Sequence, residues 1–197
     1  MLRIGITGGI GSGKSTVCRV FEELGISVFY ADAETNRMYA NNSDLKNKII
    51  AAFGLESYIN DAYNRAYISN IVFNDKEKLL QLNAIVHPFV FDLYEDWCKA
   101  HNTEKYTLKE AAILFESGSY KHVNLVIGVI APEAVRITRT MQRDGISRDE
   151  VLARIQKQIP TEELIKRCDY ILENDGEKSV VKQVLKLHSL FLKIGNK

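Results

Sequence analysis

Residues 8–15 constrain the fold of this chain more than any other segment, because they read Gly-Gly-Ile-Gly-Ser-Gly-Lys-Ser. This order matches the pattern G-x-x-x-x-G-K-[ST] of the phosphate-binding loop, or P-loop. Segment 2–7 before it is apolar like a buried strand, and segment 16–24 after it has helical spacing, with Gly25 as a stop. A strand, a glycine loop and a helix in this order direct several backbone N–H groups at one anion. The pattern therefore predicts that the chain binds a nucleoside triphosphate.

The polar side chains of the P-loop have separate expected roles. We expect Lys14 to reach the β- and γ-phosphates and Ser15 to offer its hydroxyl to Mg²⁺. A glycine-rich turn with a chance Lys-Ser pair is the alternative, and the flanking strand and helix argue against it. The residues of the segment that we expect to bind the nucleotide are Gly9, Gly11, Ser12, Gly13, Lys14, Ser15 and Thr16.

Length and charge limit the partners of the chain. Its 197 residues can bury one substantial core with a small appended lobe. The 26 Lys and Arg residues against 25 Asp and Glu residues leave a net charge of +1, which favours neither a nucleic acid nor a membrane partner. The 3 cysteines form neither a disulfide framework nor a zinc pattern. With no basic leader or long apolar N-terminal stretch, we expect a reducing cytoplasmic location.

Five apolar runs predict the strands of a buried parallel sheet. They are continuous rather than alternating, as expected for strands covered on both faces, and they occupy 2–7, 26–31, 108–115, 124–130 and 169–172. The segments between them have helical character, so the class is α/β. The connection between the second and third runs is far longer than one crossover helix needs.

This long connection predicts a helical insert over 40–105. Segment 76–97 carries apolar residues at helical spacing, and the pair His87-Pro88 within it predicts a kink. In an enzyme that uses a nucleotide, such an insert would hold the second substrate. A purely structural insertion is the alternative.

Polar residues that follow the predicted strands are candidates for chemistry. Asp32 follows the second strand, where the carboxyl edge of a parallel sheet faces the ligand crevice. It would accept a proton from an attacking hydroxyl, or cap a helix beginning at Ala33. Glu116, after the third strand, would contact Mg²⁺ or substrate, or cap a helix. The turn Asn174–Gly176 follows the last strand, where its backbone would line an adenine pocket.

Segment 133–158 is rich in arginine. Two helices are predicted there, broken at Asp144-Gly145, with Ser147 and Glu150 forming a capping box at the start of the second. Arginines of a closing lid would stabilise the negative charge that phosphoryl transfer spreads over the migrating group. Solvated arginines paired with acidic neighbours are the alternative. The spacing places Arg136, Arg139 and Arg143 on one helical face.

Together these motifs resemble the dephospho-coenzyme A kinase family, almost from end to end. The segments that carry the resemblance are 7–16, Ala31-Asp32, 64–73, Leu82-Asn-Ala-Ile-Val-His-Pro88, Leu114-Phe-Glu116, 139–145, 154–158 and 169–174. Tyr30 departs from the family, which often has Asp there. The resemblance implies transfer of the ATP γ-phosphate to the ribose 3′-hydroxyl of dephospho-CoA, with Mg²⁺. A nucleoside or nucleoside-monophosphate kinase and a non-catalytic nucleotide-binding switch are the alternatives.

The resemblance also implies an architecture and residue roles. The fold would be a P-loop NTPase-type five-stranded parallel sheet flanked by helices, with a core (1–39, 106–135, 159–197), an acceptor lobe (40–105) and an arginine-rich lid (136–158). Asp32 would be the general base, Arg139 a transition-state contact beside Lys14, and Arg143 and Asn174 nucleotide contacts. The expected acceptor-binding residues are Thr7, Asp32, Arg65, His87 and Glu116.

Overall fold

The computed structural model describes residues 1–73 and 75–195, which fall into two units. The first unit combines Met1–Tyr30 with the described residues from His101 onward, and the second is Ala31–Ala100. The three-part division into core, acceptor lobe and lid stays a prediction.

Strands and helices follow one another along the chain. Up to residue 100 they are β1 (Leu2–Thr7), α1 (Lys14–Glu23), β2 (Val28–Tyr30), α2 (Ala31–Asn41), α3 (Ser43–Phe53), β3 (Tyr58–Ile59), β4 (Ala62–Tyr63), α4 (Arg65–Val72) and α5 (Lys76–Ala100). After it come β5 (Tyr106–Glu110), β6 (Leu125–Ile130), α6 (Glu133–Asp144), α7 (Arg148–Ile155), α8 (Thr161–Arg167), β7 (Tyr170–Glu173) and α9 (Val180–Ile194). Short 3₁₀ turns occupy Leu55–Ser57 and Ser119–His122.

The first unit contains a parallel sheet with the strand order β2-β5-β1-β6-β7. Strand β1 lies in the middle, with Ile6 paired to Glu110 on one side and to Ile127 on the other. The loop after β1 therefore leaves the carboxyl edge of the sheet at its centre, where parallel sheets bind ligands. The predicted five-stranded parallel sheet flanked by helices is confirmed.

The core of the first unit lies between this sheet and two helices. Phe21 of α1 and Phe191 of α9 are fully buried, and so are Ile4 and Ile6 of β1 and Val184 of α9. Burial of one such side chain is worth about 1.5–3 kcal/mol relative to leaving it in water. The P-loop is thus bordered by the central strand and by a helix that is itself anchored in the core.

Two strands are shorter than their apolar runs predict. Strand β2 covers 28–30 rather than 26–31, and β5 ends at Glu110 rather than at residue 115. The N–H of Ala111 still donates to the carbonyl of Ile6, but the chain then turns away from the sheet. Leu114 is fully buried in this turn and packs over Gly5. The apolar run extends beyond β5 because the turn that follows the strand also contains buried apolar residues.

The second unit contains four helices within its described residues and a hairpin that the sequence analysis missed. Strands β3 and β4 pair antiparallel around a two-residue turn, in which Asn60 and Asp61 have φ of 48° and 66°. Two positive φ values match the turn that two-residue hairpins favour, which Asn and Asp tolerate. The unit has its own apolar cluster, which includes Leu45, Ile49, Phe53, Ile68, Leu82 and Val86.

Helix α5 is the longest described element. It runs from Lys76 to Ala100 and continues through Pro88, so the predicted helix is confirmed and the proline does not end it. In the part of the chain that the structure describes, no helix combines the length and the apolar character that crossing a membrane requires.

Candidate functional site

The P-loop joins β1 to α1 in the conformation that its glycines allow. Gly13 precedes α1 with φ 91°, in the left-handed region that a side chain would strain. The residue at the N-cap of α1 is this glycine, which has no side chain that could cap the helix. The first N–H groups of a helix have no intrahelical partner, so those of α1 point toward the space above the loop. This end of α1 suits an anion.

Lys14 lies across its own loop. Only 9% of the residue is exposed, and its Nζ donates to the carbonyl of Gly8 at 2.8 Å and to that of Gly9 at 3.4 Å. The loop carbonyls therefore hold the ammonium group beside the N-terminus of α1. A positive charge and a helix N-terminus at one point favour a phosphate group.

Ser15 and Thr16 follow Lys14 in the first turn of α1, and both are exposed. Among residues 1–73 and 75–195, no cluster of three or more His, Cys, Asp or Glu side chains is suited to hold a metal ion. Mg²⁺ usually keeps several waters and binds phosphate oxygens with only one or two protein ligands. The accessible Ser15 hydroxyl therefore fits a Mg²⁺ ion that arrives with the nucleotide.

Arg139 and Asn174 meet beside the P-loop. Arg139 Nη1 donates to the backbone carbonyl of Asn174 at 2.9 Å, and Asn174 Nδ2 donates to the carbonyl of Ser12 at 2.9 Å. The same Nδ2 lies 2.0 Å from where a Cβ on Gly13 would be, so the amide fills the space that this glycine leaves. The P-loop, helix α6 and the turn at Asn174, which were all predicted to belong to the site, therefore lie together. The hydrogen bond of the Asn174 side chain is made with the P-loop backbone.

Arg136 is not a lid arginine that reaches into solvent. Only 6% of it is exposed, and its Nε donates to the carbonyl of Ile10 at 3.0 Å while Nη1 donates to Thr161 Oγ1 at 3.3 Å. Burial lowers the pKa of this guanidinium below its usual value. That value starts far above neutrality, so the group stays charged. Arg136 therefore supports the P-loop through the hydrogen bond to Ile10, and helix α6 packs closely against the loop glycines at this point.

Arg143 and Arg154 both contact Asp144. Arg143 donates to the two carboxylate oxygens at 2.7 and 3.0 Å, and Arg154 Nη1 donates to one at 3.0 Å. These contacts hold the pKa of Asp144 below its usual value. The pairing of arginines with acidic neighbours is thus confirmed for these two, and the contact of Arg143 with nucleotide stays a prediction. The capping box of Ser147 and Glu150 is confirmed.

Glu116 does not end a strand, as the apolar run before it had predicted. It lies exposed in the turn after β5, and its Oε1 accepts a hydrogen bond from the N–H of Ile159 at 3.0 Å. It therefore ties this turn to the segment that follows α7. Thr7, the other candidate of the first unit, is buried at the end of β1.

Asp32, Arg65 and His87 belong to the second unit. Helix α2 begins at Ala31, so Asp32 lies inside its first turn and does not cap a helix that begins at Ala33. Arg65 begins α4, and its guanidinium donates to the side-chain oxygen of Asn36. His87 is exposed on α5, and partial desolvation lowers its pKa below the usual value.

Gln158 is a residue of the site for which the sequence suggested no role. Its Oε1 accepts a hydrogen bond from the N–H of Ile10 at 2.7 Å. The two residues are 148 positions apart, so no local spacing connects them. The motif that ends at Gln158 was part of the family resemblance, which was the only available signal.

A P-loop on the central strand of a parallel sheet, with a lysine across the loop and an arginine beside it, defines the class of P-loop kinases. Residues 2–179 match the family model described as dephospho-CoA kinase. The dephospho-CoA kinase of Salinibacter ruber is 46% identical over 179 residues, which cover 89% of this chain and 90% of that protein. The chain belongs to the dephospho-CoA kinase family.

Two solved structures share this fold over nearly the whole chain. The structure of TT1252 from Thermus thermophilus has a TM-score of 0.83 at 35% identity and covers 96% of each chain. Dephospho-CoA kinase from Campylobacter jejuni has a TM-score of 0.71 at 28% identity and covers 99% of this chain and 98% of its own. The similarity therefore includes both units.

Proposed function

We propose that this chain transfers the γ-phosphoryl group of ATP to the ribose 3′-hydroxyl of dephospho-CoA, giving coenzyme A and ADP. The observation that carries the proposal is the family match over residues 2–179, which includes the intact P-loop and nearly all of both units. ATP and dephospho-CoA are thus the expected partners. None of the 3 cysteines forms a disulfide within the described part of the chain, which agrees with the cytoplasmic location expected for this reaction.

In this proposal the first unit binds ATP. The N–H groups of the loop and of the first turn of α1 bind the phosphates, and Lys14 neutralises the charge that develops on the β–γ bridging oxygen. The exposed hydroxyl of Ser15 would be a ligand for Mg²⁺, which would supply further positive charge beside the phosphates. The loop N–H groups and Lys14 are already positioned before the reaction begins. Such preorganisation is the main source of electrostatic catalysis.

Asp32 is the general base of the proposed reaction. It lies two positions after β2, and the carboxyl end of that strand is at the same edge of the sheet as the P-loop. As the bond between the ribose O3′ and the γ-phosphorus forms, the O3′ proton passes to the Asp32 carboxylate. The bond between the γ-phosphorus and the β–γ bridging oxygen breaks, and ADP leaves with that electron pair.

The arginines and the acceptor-binding residues complete the proposal. Arg139 contacts the γ-phosphoryl group as it moves, and Arg143 and Asn174 help to bind the nucleotide. The proposed acceptor-binding residues are Thr7, Asp32, Arg65, His87 and Glu116. Arg65 is suited to an anionic acceptor because it supplies a planar guanidinium that Asn36 already orients.

The Asp32→Asn variant tests the proposal most directly. The substitution keeps the size of the side chain and removes the carboxylate, so we expect ATP affinity and thermal stability near wild type. General bases contribute about 10²–10⁴-fold, and kcat with dephospho-CoA should fall by that factor. The matched control is Glu34→Gln, which removes another carboxylate from the first turn of α2.

The measurement is coenzyme A formation with ATP and dephospho-CoA, beside a panel of nucleosides and nucleoside monophosphates as acceptors. Turnover of dephospho-CoA that collapses in Asp32→Asn and persists in Glu34→Gln supports the proposal. If the wild-type protein phosphorylates only a smaller acceptor, dephospho-CoA is not its substrate. An unchanged kcat in Asp32→Asn would overturn the assignment of Asp32 as the general base.

A further inference from the structure

Both backbone polar groups of Ile10 are held by side chains from distant parts of the first unit. Its N–H donates to Gln158 Oε1 at 2.7 Å, and its carbonyl accepts from Arg136 Nε at 3.0 Å. Ile10 lies between two glycines in the middle of the P-loop. The two side chains therefore grip the loop where its own sequence gives it the least rigidity.

Helix α6 approaches the loop closely at the same point. A Cβ on Gly9 would lie 2.3 Å from Arg136 Nη2, so the guanidinium lies directly against this glycine. The other side of the guanidinium is fixed, because its Nη1 donates to Thr161 Oγ1 at 3.3 Å. The guanidinium of Arg136 is thus held by the loop on one side and by Thr161 on the other. Releasing Ile10 would break a hydrogen bond of a buried side chain.

Gln158 is fixed by its surroundings as well. The next residue, Ile159, donates its N–H to Glu116 Oε1 at 3.0 Å, which ties this segment to the turn after β5. The Oε1 of Gln158, the acceptor of this side chain, is already engaged by the N–H of Ile10. Through this contact Gln158 can act on the shape of the loop to which a nucleotide would bind.

We propose that Gln158 and Arg136 are positioning residues that hold the P-loop in its phosphate-binding shape, and that Gln158 thereby sets the affinity for ATP and ADP. The inference rests on the proposed function in one respect, which is that ATP is the phosphate donor. Without the two side chains, the loop would have to lose conformational freedom each time a nucleotide binds, and affinity would fall.

The Gln158→Ala variant removes the hydrogen bond to Ile10. The net contribution of one neutral hydrogen bond corresponds to about three- to tenfold in an equilibrium constant. We expect the Kd of ADP and the KM of ATP to rise by this factor. The variant leaves the contacts of Lys14 and the first turn of α1 in place, so kcat should change little, and the KM of dephospho-CoA at saturating ATP should stay unchanged.

Two further variants separate the hydrogen bond from packing. Gln158→Met keeps the length of the side chain but has no carbonyl acceptor, so it should weaken ADP binding as much as Gln158→Ala does. Gln142→Ala is the matched control, because Gln142 is an exposed glutamine on α6. Arg136→Lys loses the fork that joins Ile10 to Thr161 and should also weaken ADP binding.

Titration calorimetry with ADP measures the effect without the acceptor. A three- to tenfold higher Kd in both Gln158 variants, with a wild-type Kd in Gln142→Ala, supports the inference. An unchanged Kd together with a lower melting temperature overturns it, because Gln158 would then only stabilise the fold. If the wild-type protein binds ADP but does not phosphorylate dephospho-CoA, the proposed function fails while the ADP test of Gln158 still decides the inference.

Discussion

Lys14 is the residue whose replacement should cost the most activity for the least change in structure. Its Nζ contacts two loop carbonyls and lies beside the N-terminus of α1, so Lys14→Ala removes a charge placed for the phosphates. Loss of one such preorganised contact costs about 10²-fold or more, and we expect kcat/KM to fall by at least that factor. Circular dichroism should stay unchanged, as in the control Lys121→Ala, which alters an exposed lysine. Wild-type activity in Lys14→Ala would contradict the assigned site.

Arg139 should not tolerate replacement by lysine. One nitrogen of its guanidinium is engaged by the carbonyl of Asn174, and the planar fork has further donors for a phosphate. A lysine has a single ammonium nitrogen, which cannot reproduce the planar fork that reaches both partners at once. We expect Arg139→Lys to lower kcat nearly as much as Arg139→Ala, measured beside Arg148→Lys at an exposed position. Full kcat in Arg139→Lys would contradict a contact between this guanidinium and the γ-phosphoryl group.

Sequence alone could predict the residues of the site that form one continuous motif. The P-loop was recognisable because its chemistry requires fixed residue types at fixed spacing within 8–15. The contacts of Gln158 and Arg136 with Ile10 were not predictable, because they join residues that are 148 and 126 positions apart. Helical spacing places Arg136 and Arg139 on one face, but it does not indicate that Arg136 is buried.

Helices α6 and α7 are anchored at their outer ends and exposed at the turn between them. Arg136 and Gln158 hold the ends to the P-loop, whereas Arg143 and Asp144 at the end of α6 form a surface network that Arg154, from the last turn of α7, joins. If this segment closes over substrates, we expect fast hydrogen exchange at 144–155 that slows with an ATP analogue and dephospho-CoA. Amides 136–140 should exchange slowly in both states.

The control for this exchange experiment is helix α9, whose buried Val184 and Phe191 belong to the core. Its protection should be the same with and without ligands. Exchange at 144–155 that ligands do not slow would argue against a closing lid and would leave α6 and α7 as a fixed support for the loop.

Element boundaries were predictable only where one physical cause produced the pattern. The apolar runs identified the strands, because a parallel sheet covered on both faces consists mainly of apolar residues, although β5 also contains the buried polar residues Thr107, Lys109 and Glu110. The run through Phe115 combined a strand with a buried turn, so it misplaced both the end of β5 and Glu116. The hairpin of β3 and β4 has only two residues in each strand, too few to produce an alternating pattern.

Each unit has an apolar cluster of its own among the described residues. Leu45→Ala removes a fully buried side chain from the cluster of the second unit, so we expect the free energy of unfolding to fall by about 2–5 kcal/mol. Leu55→Ala is the matched control in the same unit, since Leu55 is 79% exposed and its loss should change stability by less than about 0.5 kcal/mol. Urea denaturation measures both variants. Equal effects would contradict the assigned cluster.

The hydrogen bond from Asn174 to the Ser12 carbonyl has a consequence for the order in which the protein matures on the ribosome. The two residues are 162 positions apart, and the described partners of β1 in the sheet are β5 and β6, which are also translated late. At about 5–20 residues per second, the P-loop leaves the ribosome roughly 10–30 s before Asn174 does. The P-loop is therefore synthesised well before the segments that hold it in its working shape, and it reaches that shape only after Asn174 has left the ribosome.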